Sequence, residues 1–196
     1  MDCIGTTDDI QTISALKCTR VMPIDSRDNT GKMALHQVAF NREKQVLMVL
    51  LKHNANLHAK DNDGWTPLHR AASVGEVVAL GQLLKRGADL DAKGYGSWTP
   101  LHCAASAMKV DTLRLLLGYG ADLHTKDNDG WTPIHSAASA GKVGALRLLL
   151  ECGANLNIKD YGHWTPLHRA AYAVEVEASM LLLKRSADLH MVDNGG

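Results

Sequence analysis

The four tryptophans of this chain, Trp65, Trp98, Trp131 and Trp164, follow one another at intervals of 33 residues, and the chain has no other. A fixed period of this length restricts a chain to stacked repeats, because each unit is too small to bury its apolar face without a neighbour. The flanking residues keep the same beat. DNDGWTPLHRAA fills 61–72, DNDGWTPIHSAA fills 127–138, and WTPLHRAA returns at 164–171. The histidines His69, His102, His135 and His168 follow in phase, and one further step back reaches His36 within GKMALHQVA. That fifth copy is degenerate: Lys32 stands at the tryptophan position, and Met33-Ala34 replace Thr-Pro. The exits repeat as well, at Gly87-Ala88-Asp89, Gly120-Ala121-Asp122, Gly153-Ala154-Asn155 and Ser186-Ala187-Asp188.

One unit, 61–93, shows the local physics. DNDG is turn chemistry, with Gly64 supplying a positive φ. Thr66 suits an N-cap and Pro67 the first helical position, where its missing N–H costs nothing. A short helix is predicted over Leu68 to about Ser73, with small Ala71 and Ala72 admitting a close neighbour and Gly75 ending it. A second helix is predicted over about Val77 to Lys85, with Val77, Leu80, Leu83 and Leu84 at helical spacing. Neither helix is long enough to be stable alone, so stability must come from unit-to-unit contacts.

The TPLHxAA phrase, the GAD exit and the 33-residue period resemble the ankyrin repeat, over residues 28–192. The resemblance implies an all-α solenoid of stacked helix–loop–helix units, with β-hairpin fingers set at right angles to form a concave surface. It also implies binding rather than catalysis, and a histidine that ties neighbouring units together. The units then run 28–60 (unit one, degenerate), 61–93 (two), 94–126 (three), 127–159 (four) and 160–192 (five). Residues 1–27 read as a partial or capping unit with Ile10, Ile13 and Leu16 as its buried stripe, and 193–196 as the opening of a truncated sixth. The last second helix is as apolar as the internal ones (Val176, Met180, Leu181, Leu182, Leu183), so the expectation is that the chain is a fragment or that something covers that end.

Net charge is zero, from 21 basic and 21 acidic residues, without the basic excess of a nucleic-acid binder. The longest apolar run of the second helices, 46–51, is far too short to span a bilayer. The N-terminus lacks the apolar core of a secretory signal, and Cys3, Cys18, Cys103 and Cys152 form no CxxC pair. These features predict reduced thiols in a cytoplasmic or nuclear protein.

The phased histidines sit three residues into their helices, where the ring can bond the cap residue as a glutamate does in a capping box, so they read as structural. A second series, His58, His124 and His190, is spaced by two units, roughly 20 Å at about 10 Å per packed layer, too far apart to share a metal. These read as solvated loop residues, with pH sensitivity through a pair such as His58 and Asp91 as the alternative. Cys103 and Cys152 read as small packing residues. No nucleophile elbow or phosphate-binding glycine run is present, and neither a cofactor nor a metal is expected.

Trp65, Trp98, Trp131 and Trp164 have two open readings: a ladder of binding anchors, or rings that pack on the adjacent finger. The fingers alternate between Lys-Asp-Asn-Asp-Gly-Trp in units two and four and Tyr-Gly-Ser-Trp or Tyr-Gly-His-Trp in units three and five. Glycine moves one place earlier in the latter, which predicts a different turn. Met108 and Val174 also replace Gly75 and Gly141. Acids beside tryptophan suit a Lys- or Arg-bearing partner, although Asp61 and Asp127 read first as solvated turn residues. The expectation is a non-enzymatic scaffold or adaptor that binds a protein or peptide, basic and apolar in character, on its concave finger side. The candidate site is the four tryptophans with Asn62, Asp63, Tyr95, Asn128, Asp129, Tyr161 and His163, lined by Ser73, Ser106, Ser139 and Tyr172 on the inner helices. The alternative is an ankyrin array within a larger enzyme, channel or receptor. A catalytic protein in its own right has no residue to nominate.

Overall fold

The structure, a computed structural model, describes residues 23–107 and 109–185. The expectations placed on Cys3, Cys18, Ile10, Ile13, Leu16, Met108, the 186–188 exit, His190 and 193–196 lie outside those residues. Ten α-helices follow in pairs: α1 (Ala34–Asn41) and α2 (Lys44–Lys52), α3 (Pro67–Val74) and α4 (Val77–Lys85), α5 (Pro100–Ser106) and α6 (Val110–Gly118), α7 (Pro133–Ser139) and α8 (Val143–Glu151), α9 (Pro166–Tyr172) and α10 (Val176–Lys184). First helices stack on first helices along the array, and second helices on second helices, so the molecule is an all-α solenoid.

The period that phases the sequence also phases the core. Leu35, Leu68, Leu101 and Ile134 form a buried column through the first helices. Leu83, Leu116, Leu149 and Leu182 form another through the second helices, and Leu47, Leu80, Leu113 and Leu146 a third. The third column ends in unit five at Ser179, whose hydroxyl donates instead to the Glu175 carbonyl at 2.9 Å. Ala71, Ala72, Ala104, Ala105, Ala137 and Ala138 are fully buried where the first helices approach one another.

The fingers are tight turns, and no strand occurs among the described residues. In unit two the Asp61 N–H donates to the Trp65 carbonyl at 2.9 Å and the Gly64 N–H to the Asp61 carbonyl at 2.9 Å. The tip is joined to the previous finger by Asn62 N–H donating to the Thr30 carbonyl at 3.1 Å. So few bonds per finger do not build a ladder, which is why the expected β-hairpins reduce to hydrogen-bonded turns. Between paired helices, Val174 keeps the left-handed backbone (φ 61°) that Gly75 (77°) and Gly141 (66°) adopt without a Cβ.

Candidate functional site

Four of the five fingers are held by the carboxylate of their first residue. Asp61 is buried. Its Oδ1 accepts the backbone N–H groups of Asp63 at 3.0 Å and Trp65 at 2.9 Å. Asp127 does the same for Asp129 at 2.9 Å and Trp131 at 2.7 Å. Asp160 does so for Gly162 and Trp164, both at 2.9 Å. Asp28 repeats the pattern in the degenerate unit with Thr30 at 2.8 Å and Lys32 at 2.9 Å. Those bonds, with the Thr30 hydroxyl foremost, lower the Asp28 pKa to about 2. Gly94 stands at this place in unit three.

The second carboxylate oxygen is engaged as well. Arg70 donates to Asp61 Oδ2 through Nε at 3.0 Å and through Nη2, and also reaches Asp63 at 3.2 Å. Arg169 holds Asp160 Oδ2 through Nε at 2.7 Å and through Nη2. Burial works to raise the Asp61 pKa, but Arg70 and the turn N–H groups outweigh it, and the net shift is downward. In unit four Ser136 replaces the arginine, and Asp127 Oδ2 instead accepts the Trp98 indole N–H at 3.0 Å. The corresponding indole of Trp65 faces Gly94 and has no acceptor, so its Nε1 is buried without a partner.

The arginines also occupy the indole faces. The Arg70 guanidinium lies 4.7 Å from the Trp65 ring centre. Arg169 lies 4.5 Å from the centres of both Trp131 and Trp164, filling the gap between two rungs of the ladder. These are cation–π distances. Trp164 in turn meets Tyr172 edge-on at 5.2 Å, and Lys126 Nζ lies 5.1 Å from the Tyr161 ring centre. The tryptophans are half-buried, whereas Tyr95, Tyr161 and Tyr172 are 76%, 63% and 76% exposed.

Histidines join finger to finger. The Thr66 backbone N–H donates to His69 Nδ1 at 3.2 Å. Because that donor fixes Nδ1 as an acceptor, Nε2 carries the ring proton and donates to the Trp98 carbonyl at 2.9 Å. His36, His102 and His135 make the same bond to Trp65, Trp131 and Trp164 at 3.0, 3.0 and 3.1 Å. Unit one keeps this joint although Met33 has replaced the threonine, since the joint needs only the Met33 backbone N–H, 3.2 Å from Nδ1. Burial pushes His69 and His135 down to about 4, and His36 and His102 in the same direction, against the upward pull of the tryptophan carbonyls.

The repeat geometry is matched by a family comparison: the model of ankyrin repeats, three copies, covers residues 7–94 and 101–193. The chain belongs to the ankyrin-repeat family. Ankyrin repeats are generally protein–protein interaction modules and are typically non-enzymatic. A comparison with curated proteins finds no match. Within the described part of this ankyrin array, no helix is long and apolar enough to cross a membrane, and no three metal-ligating side chains converge.

The ankyrin geometry corrects several expectations. Asp61 and Asp127 are buried turn clamps, because a carboxylate folded back on its own turn satisfies N–H groups that water would otherwise serve. Cys152 is exposed at the C-terminal cap of α8 and is not a buried packing residue, while Cys103 is buried as expected, its thiol pushed up to about 12 by burial. Asp91 Oδ1 accepts the Asp122 N–H at 3.3 Å, so the loop carboxylate proposed for His58 serves the next loop instead. Unit five does not have the altered turn: His163 (φ 63°) takes the left-handed place of Gly64 and Gly130, Gly162 before it is not left-handed, and Asp160 holds the turn as Asp61 and Asp127 do theirs. Only unit three departs, with Gly96 (63°) and Ser97 (64°) both left-handed and a short 3-10 turn over Tyr95–Ser97.

Of the candidate residues, the structure brings Trp131 and Trp164 together around Arg169, with Tyr172 edge-on to Trp164. Asn62 and Asn128 are tied to the preceding tips, through Asn62 Nδ2 to the Asn29 carbonyl (3.3 Å) and through Ser97 Oγ donating to Asn128 Oδ1 (2.6 Å). Asp63 pairs with Arg70, Asp129 is exposed, and the Ser73 hydroxyl donates to the Arg70 carbonyl at 2.9 Å. Ser106 and Ser139 are half-buried. Arg70, Arg169, Lys126 and Asp160 were absent from the candidate site. A signal for the first two was present: arginine nine residues after the finger aspartate occurs in units two and five alone.

Proposed function

We propose that this ankyrin array is a non-enzymatic scaffold or adaptor that holds a protein or peptide along its finger side. The observation that carries the reading is the exposure of Tyr95, Tyr161 and Tyr172 beside an ordered row of half-buried tryptophans. Exposed aromatics fixed by their neighbours bring large contact area at small entropic cost, the character of interface hot spots. Trp65, Trp98, Trp131 and Trp164 support this row from behind, and Tyr95, Tyr161 and Tyr172 make its outer contacts. Asn62, Asp63, Asn128, Asp129 and His163 rim it, and Ser73, Ser106 and Ser139 line the inner helices. The basic half of the expected partner loses support, because the chain's own Arg70 and Arg169 already sit on three of the four indoles.

The test is affinity capture with the wild-type chain and with the Tyr95→Ala/Tyr161→Ala/Tyr172→Ala variant, with circular dichroism as the folding control. The expected result is two equally folded proteins, of which only the wild type retains a specific partner. Identical capture by both moves the site elsewhere.

A further inference from the structure

We infer that a second copy of this chain docks on the outer face of the second helices, at a groove between α4 and α6, independently of the finger side. The groove is lined by Val77 of α4, by Asp111, Arg114, Leu115 and Gly118 of α6, and by Tyr119 at the α6 cap. Its volume is about 310 Å³, at the lower end of ligand-holding clefts, so it admits one large side chain rather than a folded segment. Two glycines leave it open. A Cβ on Gly81 would meet only Leu115 Cδ2, at 3.7 Å, and one on Gly118 would meet nothing within 4 Å.

The repeat does not ask for this groove. Gly81 stands where the other units have Met48, Arg114, Arg147 and Met180, and Gly118 where they have Lys52, Lys85, Glu151 and Lys184. Tyr119 is in register with His53, Arg86, Cys152 and Arg185. A hole and an exposed aromatic side chain thus lie side by side at units two and three, and both depart from the scaffold pattern. Exposed Val77 and Val78 extend the apolar patch onto α4.

The charges select the occupant. Asp111 and Arg114, three residues apart on α6, are both exposed, and neither forms an ion pair among the described residues. Lys85 and Glu151, exposed in register with Gly118 on either side, again have opposite signs. A partner for this surface must bring one acid and one base close together beside an apolar group, and the same surface of a second chain does so. In a two-fold pair α6 runs antiparallel to its copy, Asp111 of each chain meets Arg114 of the other, and each Tyr119 faces the other's groove. Zero net charge leaves no overall repulsion between the copies.

Sedimentation equilibrium of the full chain over a concentration series tests this, with circular dichroism as the folding control. The wild type should shift reversibly from one 21.2 kDa chain toward two as concentration rises. Asp111→Arg and Arg114→Asp each bring like charges together and should weaken the dimer at least about tenfold. Mixing those two variants restores both ion pairs across the two-fold axis, so the mixture should dimerise about as well as the wild type. Gly118→Arg has room for its Cβ, keeps the fold and fills the groove, so it should abolish the dimer. Tyr119→Ala should weaken it about tenfold, as loss of one anchoring ring does. A wild type that stays monomeric at every concentration overturns the inference. A dimer untouched by these variants belongs to another surface, such as the exposed Val176, Met180 and Leu183 of α10, and overturns the placement. Weakening by both reversals without recovery in the mixture overturns the reciprocal pairing.

Discussion

Finger three differs from fingers two, four and five in one decisive residue. At Asp61, Asp127 and Asp160 a buried carboxylate gathers two N–H groups of its own turn, and at Gly94 there is none. The consequences run outward. The unclamped turn winds into a 3-10 segment with two left-handed residues. Trp65, lacking the acceptor that Asp127 gives Trp98, buries its N–H unpaired. Tips four and five are tied backward by Asn128 N–H to the Gly96 carbonyl (2.9 Å) and Tyr161 N–H to the Asp129 carbonyl (3.1 Å). No corresponding bond joins Tyr95 to Asp63 among the described residues. The lesson is that the turn follows the carboxylate and not the placement of glycine: Gly96 and Gly162 stand at the same place, yet only Gly96, in the finger without the aspartate, is left-handed.

The largest predicted effect breaks what the two kinds of finger share. His69 secures finger three through Trp98, and His135 secures finger five through Trp164. Both have folded-state pKa values of about 4, below the ordinary 6.5 that the unfolded chain recovers. The unfolded state therefore binds protons first, so this stability is complete above about pH 6.5 and is lost as pH falls toward 4. At pH 5 each costs about 2 kcal/mol, on the basis of about 1.36 kcal/mol per unit. Urea titrations at pH 7 and pH 5 should differ by about 4 kcal/mol from this pair alone, with His36 and His102 adding in the same direction. Equal stability at both values would sink the account of the histidine joints.

Next, Asp127→Gly turns finger four into a second finger three. It removes the acceptor of three hydrogen bonds, from Asp129 N–H, Trp131 N–H and the Trp98 indole. A loss of about 3 kcal/mol is expected, since bonds to a charged acceptor contribute about 1.5–3 kcal/mol each and are not additive. Denaturant unfolding measures it, and a cost under about 1 kcal/mol would remove the clamp from the account. A smaller and opposite change comes from His163→Gly. Finger five keeps its aspartate, so glycine relieves a left-handed residue and should stabilise by about 1 kcal/mol. A drop in melting temperature would show that the His163 side chain contributes more than its backbone costs.

Much of this was legible in the sequence and some was not. The second helix of unit two runs over Val77–Lys85 as its spacing predicts, and threonine, proline and histidine take the expected cap positions because those interactions are local. The Trp carbonyls that receive the histidines come from the next unit, and only the family resemblance foretold a tie there. Asp61 and Asp127 were hidden for a different reason: an aspartate in a turn looks solvated whether its carboxylate points out to water or back into its own turn. Arg70 and Arg169 lie on the helices behind the fingers, nine positions after the aspartates they hold. Cys152 follows the last turn of α8 at a place where apolar character carries no information about exposure.

The smallest effect is the sharpest test of the comparison. Gly94 has φ −96°, open to any residue, so space rather than backbone decides what it tolerates. A Cβ there would come within 2.9 Å of Trp65 Cδ1. Gly94→Ala forces the indole to shift and supplies no acceptor, so it should destabilise by about 1–2 kcal/mol, as overpacking does. Gly94→Asp meets the same obstacle but places a carboxylate where Asp127 stands relative to Trp98. It then accepts the orphaned Trp65 N–H and the turn N–H groups, offsetting most of the steric cost and leaving a net change below about 1 kcal/mol. The decisive readout is the Trp65 indole proton, which should move downfield in Gly94→Asp and not in Gly94→Ala. If aspartate is as costly as alanine and the proton stays put, the missing carboxylate is not what sets finger three apart, and the difference must lie in Tyr95-Gly96-Ser97 itself.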